Sequence, residues 1–160
     1  MEKTNVMRIL DQKKLEYRSH FYGDTGAISG IDVAQALNEN PQSVFKTLVT
    51  AGKSKKYYVF MIPVCEELDL KKAAKSVNEK SIEMIKSKEL LPLTGYIHGG
   101  CSPIGMKKLF TTVIHYTANN FDKIFFSGGR IGCQIEMSFE SLRKVIPINT
   151  ADIIVNKNDL

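Results

Sequence analysis

Cysteine and proline are scarce in this chain, with three and five among 160 residues. Cys65, Cys101 and Cys133 are an odd number and lie far apart in the sequence, which excludes a disulfide framework and favours a reducing compartment. No apolar run approaches the ~20 residues needed to cross a bilayer, and the first residues lack the apolar stretch of a signal peptide. We therefore expect a soluble, cytoplasmic protein.

The composition is that of one ordinary globular domain spanning residues 1–160. Hydrophobic residues make up 43% of the chain and charged residues 24%, which excludes disordered and collagen-like classes. A chain of this length buries roughly 70% of the surface that its unfolded form exposes, so a core forms without disulfides or metals.

The formal net charge of +5 comes mainly from lysines in short clusters. Clustered lysines attract a polyanion such as nucleic acid without encoding a sequence preference, and they also serve simply as a solvated surface. Both interpretations stay open on charge alone. The clusters are Lys53, Lys55 and Lys56; Lys71, Lys72 and Lys75; and Lys107 and Lys108.

Helices and short strands alternate along the chain without repeated β-α-β units, which predicts an α+β fold with a mixed, largely antiparallel sheet curled into a barrel. Apolar spacing, caps and turn residues locate the elements. The predicted helices are 4–15, 29–37, 68–77, 81–86 and 138–145, with residues 91–93 around Pro92 ending the middle pair. The predicted strands are 16–21, 44–50, 57–63, 96–98, 111–116, 123–127, 132–137 and 146–148.

The segment 99–105, Gly-Gly-Cys-Ser-Pro-Ile-Gly, is the most unusual local sequence. Its glycines allow a backbone to approach a ligand and present N–H groups to an anion or a carbonyl oxygen, and they equally suit a tight turn. It is neither a hydrolase elbow, because Pro103 has no N–H to donate, nor a P-loop, because Lys and Ser/Thr do not follow directly.

Cysteine and histidine offer little support for nucleophilic or metal chemistry. Cys101 with His98 three residues earlier could form a thiol nucleophile and its base, but proximity in sequence neither stabilises the thiolate nor orients the base. A zinc site lacks a second ligand pair at suitable spacing. Cys65 and Cys133 lie in apolar contexts that are typical of core positions.

Lys46 is a lone cation within the apolar strand 44–49. A lysine on an apolar face either extends its ammonium to solvent or lines a cleft in which a partner group engages it. The spacing alone leaves both alternatives open.

Together these segments resemble the YbaK/EbsC family of aminoacyl-tRNA deacylases. The resemblance is carried in order by residues 44–48, 68–75, 99–108 and 127–137, and it runs from the first helix to about Asp152. It implies a compact α+β domain with a mixed, barrel-like sheet flanked by helices, similar to the editing domain of bacterial prolyl-tRNA synthetases. The implied reaction is hydrolysis of the ester between a wrong amino acid and tRNA, most typically cysteine on the proline tRNA.

The resemblance also implies roles for individual residues. Lys46 would hold the 3′-terminal nucleotide or the ester through charged hydrogen bonds, and the backbone of Gly100, Cys101 and Ser102 would stabilise the developing oxyanion. The implied substrate-binding residues are Tyr22, Asp24, Gly99, Pro103, Ser127, Gly128, Gly129 and Gln134.

No metal or organic cofactor is implied. The implied partner is aminoacyl-tRNA, together with prolyl-tRNA synthetase, and neither DNA nor a membrane is expected to bind. The lysine clusters then serve the phosphates of the tRNA acceptor stem.

Gln134 departs from those members of the family that have Asp at this position, and a neutral amide does not pair with a substrate ammonium as a carboxylate does. The preferred amino acid is therefore open, with alanine an alternative to cysteine. The resemblance implies that the thiol of the substrate cysteine attacks its own ester, so that the protein supplies proximity and oxyanion stabilisation. The competing hypothesis is a tRNA-binding or regulatory module of the same fold without turnover.

Overall fold

Two β-sheets and five helices form the fold in a computed structural model that describes residues 2–159. The helices are α1 (Asn5–Gln12), α2 (Gly30–Ala36), α3 (Leu70–Ser76), α4 (Ser87–Thr94) and α5 (Phe139–Arg143). The strands are β1 (Arg18–Phe21), β2 (Phe45–Gly52), β3 (Tyr57–Pro63), β4 (Ile82–Met84), β5 (Thr111–His115), β6 (Ile124–Ser127), β7 (Cys133–Met137) and β8 (Ile148–Ala151). None of the helices in the described range is long and apolar enough to span a bilayer.

The larger sheet has the order β4-β2-β3-β5-β8. The predicted hairpin forms its centre, with Phe45 opposite Pro63 and Ala51 opposite Tyr57. β3, β5 and β8 run parallel, whereas β4 and β3 are antiparallel to β2. Apolar residues fill β3 because both of its faces are covered, as is usual for a central strand.

The smaller sheet has the antiparallel order β1-β7-β6, and a parallel bridge between Val44 and Phe125 joins its edge to the start of β2. The sheets therefore curve around a shared core that includes Met61, Phe126 and Met137, without closing into a complete barrel. The predicted α+β fold with a mixed, largely antiparallel, barrel-like sheet and flanking helices is confirmed.

Side-chain caps begin four of the helices. The oxygens of Thr4, Ser29, Asp69 and Ser138 accept hydrogen bonds from backbone N–H groups in the first turns of α1, α2, α3 and α5. Each cap satisfies a donor that would otherwise have no partner inside the helix. Thr4 and Ser29 are the residues at which the predicted helices 4–15 and 29–37 begin.

The prediction of a helix over 81–86 is wrong. This segment contains β4, which pairs with the free edge of β2 so that Ile82 lies opposite Gly52 and Met84 opposite Thr50. Ile82 and Ile85 are three residues apart, a spacing that suggests a helix. In so short a segment, the unpaired N–H and C=O groups at the edge of β2 determine the outcome.

Pro92 does not end the middle region but lies inside α4. Its ring removes one helical N–H, while Leu90 and Leu93 pack against the apolar cluster around Val49 and Cys101. The helix ends instead at Gly95, whose φ of 88° is left-handed.

Two predicted strands are also corrected. Residues 96–98 are a loop and turn, because the left-handed backbone of Gly95 and of Gly99 (φ of 87°) bends the chain on both sides. The final strand lies at Ile148–Ala151 rather than at 146–148, since Ile146 packs into the core just before it.

His115 at the end of β5 is 2% exposed, and its Nδ1 accepts a hydrogen bond from the N–H of Ile153 at 3.4 Å. Burial lowers the pKa of His115 below its usual 6.5. The negative charges of Asp152 and Glu66 raise it by less, and the positive charge of Lys72 lowers it further. The folded chain thus keeps this imidazole neutral at a pH at which the unfolded chain protonates it.

We expect the free energy of unfolding to fall as the pH drops below about 6.5, because the unfolded state then binds a proton that folded His115 excludes. The substitution His115→Asn keeps an acceptor near Nδ1 but does not titrate, so its stability should depend less steeply on pH below about 6.5. Urea unfolding at a series of pH values measures both slopes. Parallel curves for the two proteins would remove His115 from the acid response.

Candidate functional site

A cavity of about 760 Å³ opens where the two sheets meet. Its wall is formed by β2, the ends of β6 and β7, the first turns of α2 and α4, and the loop that contains Gly99. This size is within the range of small-molecule and cofactor sites in proteins.

The cavity brings together six of the twelve residues to which the resemblance assigns a role, and they come from four separate segments of the chain; His98 lines it as well. The others lie nearby but do not line it. The lining residues are Tyr22, Lys46, Gly99, Cys101, Ser127 and Gln134. The remaining residues are Asp24, Gly100, Ser102, Pro103, Gly128 and Gly129.

Lys46 lines the cavity from β2 and is half-buried. Across residues 2–159, no carboxylate lies within ion-pair distance of its ammonium. The neighbouring Thr47 also lines the cavity, and its Oγ1 is buried without a hydrogen-bond partner in the same range. The cleft is thus the alternative that this geometry favours for Lys46.

The glycine-containing loop packs against the turn that follows β6. A Cβ added to Gly100 would lie 3.0 Å from the Cα of Arg130 and 3.1 Å from the backbone nitrogen of Ile131, so the two backbones touch. The N–H of Gly100 donates to the carbonyl of Ile97 at 3.0 Å and is not available to a ligand.

The next two residues carry backbone donors that are free within the described part of the chain. No residue there accepts from the N–H of Cys101 or Ser102. Cys101 lines the cavity, whereas Ser102 is fully buried behind it and its hydroxyl oxygen accepts from the N–H of Ile104. Gly99 also lines the cavity, and its N–H likewise donates to no residue in this range, so Gly99 and Cys101 are the lining residues of the loop that carry free backbone donors.

The thiol of Cys101 is a poor nucleophile. It is 8% exposed and packs against Val49 and Val59, and burial raises its pKa to about 12. A thiol with so high a pKa stays protonated at neutral pH. His98 is exposed, and no hydrogen bond joins it to Cys101 among residues 2–159.

Tyr22 directly precedes the short 3-10 turn Gly23–Thr25, and Asp24 lies within that turn. Tyr22 is buried against the cavity, and burial is the main reason why its pKa is raised. Asp24 is exposed and is not among the residues that line the cavity. Of these two neighbouring residues, only Tyr22 therefore contributes to the cavity.

Ser127 and the two glycines after it form a tight turn between β6 and β7. The Ser127 hydroxyl oxygen accepts from the N–H of Gly129, which leaves its own proton free to donate into the cavity. Gly128 has no room for a side chain, because an added Cβ would lie 2.5 Å from the sulfur of Cys133. Gly129 has a left-handed φ of 101°.

Gln134 is 3% exposed in the middle strand of the smaller sheet. Its Nε2 donates to Oε1 of Glu39 at 2.9 Å, while its own Oε1 is buried without a partner among the described residues. Burial raises the pKa of Glu39, although Gln134 and His20 oppose the shift. Sequence reasoning missed Glu39, which lies 95 positions before Gln134 and carries no local motif.

Some lysines of the predicted surface clusters have structural contacts. Lys72 pairs with Asp152 at 3.0 Å and donates to the carbonyl of Ile154 at 2.9 Å, and Lys107 donates to the carbonyl of Pro92 at 3.1 Å. A further cation, Lys86, lines the cavity together with Lys46. The described residues contain no group of three or more His, Cys, Asp or Glu that could hold a metal ion.

Comparison with known proteins gives a consistent family assignment. Residues 27–145 match the model of the aminoacyl-tRNA editing domain. The chain is 43% identical over 142 residues to EbsC of Enterococcus faecalis, named as a candidate Cys-tRNA(Pro)/Cys-tRNA(Cys) deacylase, which covers 88% of this chain and 87% of that protein.

Solved structures share the fold at low sequence identity. A candidate trans-editing enzyme for prolyl-tRNA synthetase aligns with a TM-score of 0.81 at 19% identity, over 97% of this chain and 100% of that one. A hypothetical protein aligns with a TM-score of 0.87 at 20% identity, over 95% of this chain and 100% of that one. These two likenesses establish the architecture alone.

Proposed function

The chain belongs to the aminoacyl-tRNA editing domain family and is an aminoacyl-tRNA deacylase; we propose that it acts as a trans-editing enzyme on Cys-tRNA(Pro). The observation that carries the proposal is a single cavity lined both by Lys46 and by Cys101: among residues 2–159, Lys46 has no ion-pair partner and the Cys101 N–H donates to no residue. A cation and a hydrogen-bond donor suit an ester whose neighbouring nucleotide is anionic.

In the proposed reaction, the thiol sulfur of the substrate cysteine attacks the carbonyl carbon of its own ester. A carbon–sulfur bond forms, the bond to the ribose oxygen breaks, and that oxygen receives the proton that the thiol loses. The products are tRNA with a free hydroxyl and a cyclic thiolactone, which water then opens. Because the nucleophile belongs to the substrate, the protein contributes position and charge stabilisation.

Each proposed role follows from a place in the cavity. Lys46 binds the terminal nucleotide or the ester oxygen, and the Cys101 N–H donates to the carbonyl oxygen as it gains negative charge. Ser127 offers a hydroxyl proton at the cavity, and Tyr22 is a buried part of the lining. Ser102 and Gly100 act behind this surface by holding the loop in place.

The exposed lysines supply the sequence-independent attraction for the tRNA phosphates. Prolyl-tRNA synthetase is the proposed source of the misacylated tRNA, and a complex with it would add the choice of tRNA that a small domain lacks. The raised pKa of the Cys101 thiol argues against a mechanism in which this side chain is the nucleophile.

The test is deacylation of a panel by the purified chain at fixed salt: Cys-tRNA(Pro), Ala-tRNA(Pro), Ser-tRNA(Pro) and Cys-tRNA(Cys). We expect rapid loss of both cysteinyl esters, because only they carry a thiol that attacks the ester, and turnover of the others at least about 10-fold slower. Preference for alanyl or seryl esters would replace thiol attack with a water-mediated route. Retained tRNA binding without hydrolysis across the panel would indicate the non-catalytic module instead.

A further inference from the structure

The Gln134 carboxamide has one hydrogen-bonded end, its nitrogen, and one end without a hydrogen bond in the described residues, its oxygen. Its nitrogen donates to the carboxylate of Glu39, and its oxygen is buried without a donor within residues 2–159. The side chain also lines the cavity. A buried carbonyl oxygen without a donor is unfavourable, so a ligand that supplies one gains more than it would at an exposed acceptor.

Glu39 determines which half is free. The two ends of a carboxamide are hard to tell apart by shape, and its hydrogen-bond partners decide the orientation. An ionised carboxylate only accepts hydrogen bonds, so the NH₂ group must face Glu39 and the oxygen must face away from it. Glu39 therefore fixes Gln134 as an acceptor.

The surroundings of this acceptor are negatively charged, while Lys46 makes another part of the wall positive. Glu136 lies two residues further along β7 and pairs with His20 at 2.8 Å, and both groups influence Glu39 electrostatically. A polarised cavity of this kind orients a ligand that carries an anionic and a cationic end. An aminoacyl nucleotide has both, in its phosphate and its α-ammonium group.

We propose that Glu39 is a positioning residue that holds the Gln134 side chain so that its Oε1 accepts a hydrogen bond from the α-ammonium group of the aminoacyl ester. This inference rests on the proposed function, which supplies the ester. Water does not reach the oxygen in the free protein, so the ligand gains access by shifting neighbouring side chains of the lining.

The pair also accounts for a neutral residue at position 134. An aspartate there would place a second carboxylate beside Glu39, and like charges so close raise the free energy of the ionised pair. In this chain the carboxylate belongs to Glu39, which does not line the cavity. The amide of Gln134 lies between this carboxylate and the cavity, and its orientation depends on the hydrogen bond to Glu39. Gln134 and Glu39 are thus a coupled pair.

The inference is tested by binding rather than by turnover. The probes are 3′-alanylamino-3′-deoxyadenosine, an amide-linked analogue that is not hydrolysed, and its N-acetyl derivative, which has lost the ammonium charge. Titration calorimetry at about pH 6.5, where an α-amino group is mostly protonated, gives the ratio of the two dissociation constants. The alanyl side chain keeps the thiol out of the comparison.

For the wild-type chain we expect the N-acetyl analogue to bind roughly 10- to 100-fold more weakly. In Glu39→Ala and Gln134→Met the ratio should fall below about threefold, because the acceptor is lost or no longer oriented. Glu39→Gln should behave like Glu39→Ala, since its amide can donate to the Gln134 oxygen and occupy it. The exposed Glu140 on α5 provides the control: Glu140→Gln should keep the wild-type ratio.

A ratio that stays at the wild-type value in Glu39→Ala, with circular dichroism showing an intact fold, would overturn the inference and assign the discrimination to the bulk of the acetyl group. Glu39 follows α2 outside any strand, so this variant tests the idea even if Gln134→Met fails to fold. Failure of the proposed function gives a different result, because no ester of the tRNA panel is then hydrolysed. The ratios of dissociation constants in the wild type and in Glu39→Ala still show whether the Gln134 oxygen accepts from the ammonium group.

Discussion

Lys46→Met is expected to lower kcat/KM for Cys-tRNA(Pro) between about 10- and 100-fold, because a charged hydrogen bond to the substrate is lost. Methionine keeps much of the apolar stem that packs along β2, so the fold should remain intact. Lys46 has no ion-pair partner in the described chain, so its removal leaves no carboxylate unpaired there. Deacylation rates and thermal unfolding of the same preparation measure both effects.

The matched control for this change is Lys144→Met, which removes an exposed lysine at the end of α5, away from the cavity. Its kcat/KM should stay close to the wild-type value. The salt dependence of tRNA binding separates the two roles proposed for Lys46, since loss of one phosphate contact lowers the slope by about one. Turnover equal to that of the wild type in Lys46→Met would remove this residue from the mechanism.

Lys46 shows how far sequence reasoning reaches at this site. A single cation within an apolar strand is a local anomaly, and the two structural alternatives for it follow from the chemistry of lysine. The glycine loop is a local anomaly of the same kind. Each of these two features is recognisable within its own short segment of the sequence. The structure adds that both segments line the same cavity.

Glu39 shows where such reasoning ends. Its only distinguishing feature is a hydrogen bond to a side chain 95 positions later, and no spacing or motif encodes that contact. Asp24 shows the opposite failure, because its place beside Tyr22 in sequence does not bring its side chain to the cavity. Proximity in sequence and proximity in the fold coincide only where an element forces them together.

The errors in the fold have a related cause. Residues 81–94 contain short apolar segments that suit a helix or a strand equally well, and the free edge of β2 and the packing of α4 make the choice. Long segments with strong periodicity, such as the β2–β3 hairpin, were predicted within one or two residues because their own pattern excludes alternatives. In the shorter segments, the contacts with other parts of the fold determine whether a helix or a strand forms.

Gly100→Ala is expected to lower kcat by about 10- to 100-fold, although residue 100 itself does not line the cavity. The backbone at Gly100 has no left-handed φ, so alanine is not excluded by local conformation. The added methyl group would instead press on the backbone of Arg130 and Ile131 at 3.0 and 3.1 Å, and these atoms cannot rotate away. The loop must move, and the Cys101 N–H moves with it.

A donor that acts mainly on the developing oxyanion affects kcat more than KM, so we expect KM for Gly100→Ala to change little. The same contact should destabilise the fold by about 1–3 kcal/mol through overpacking. Gly23→Ala is the control, because its added Cβ would lie 4.0 Å from the nearest atom, the Cα of Gly132. Equal kcat values for the two variants would mean that the loop tolerates displacement and that the oxyanion is stabilised elsewhere, which would leave Lys46 as the principal source of charge stabilisation in the cavity.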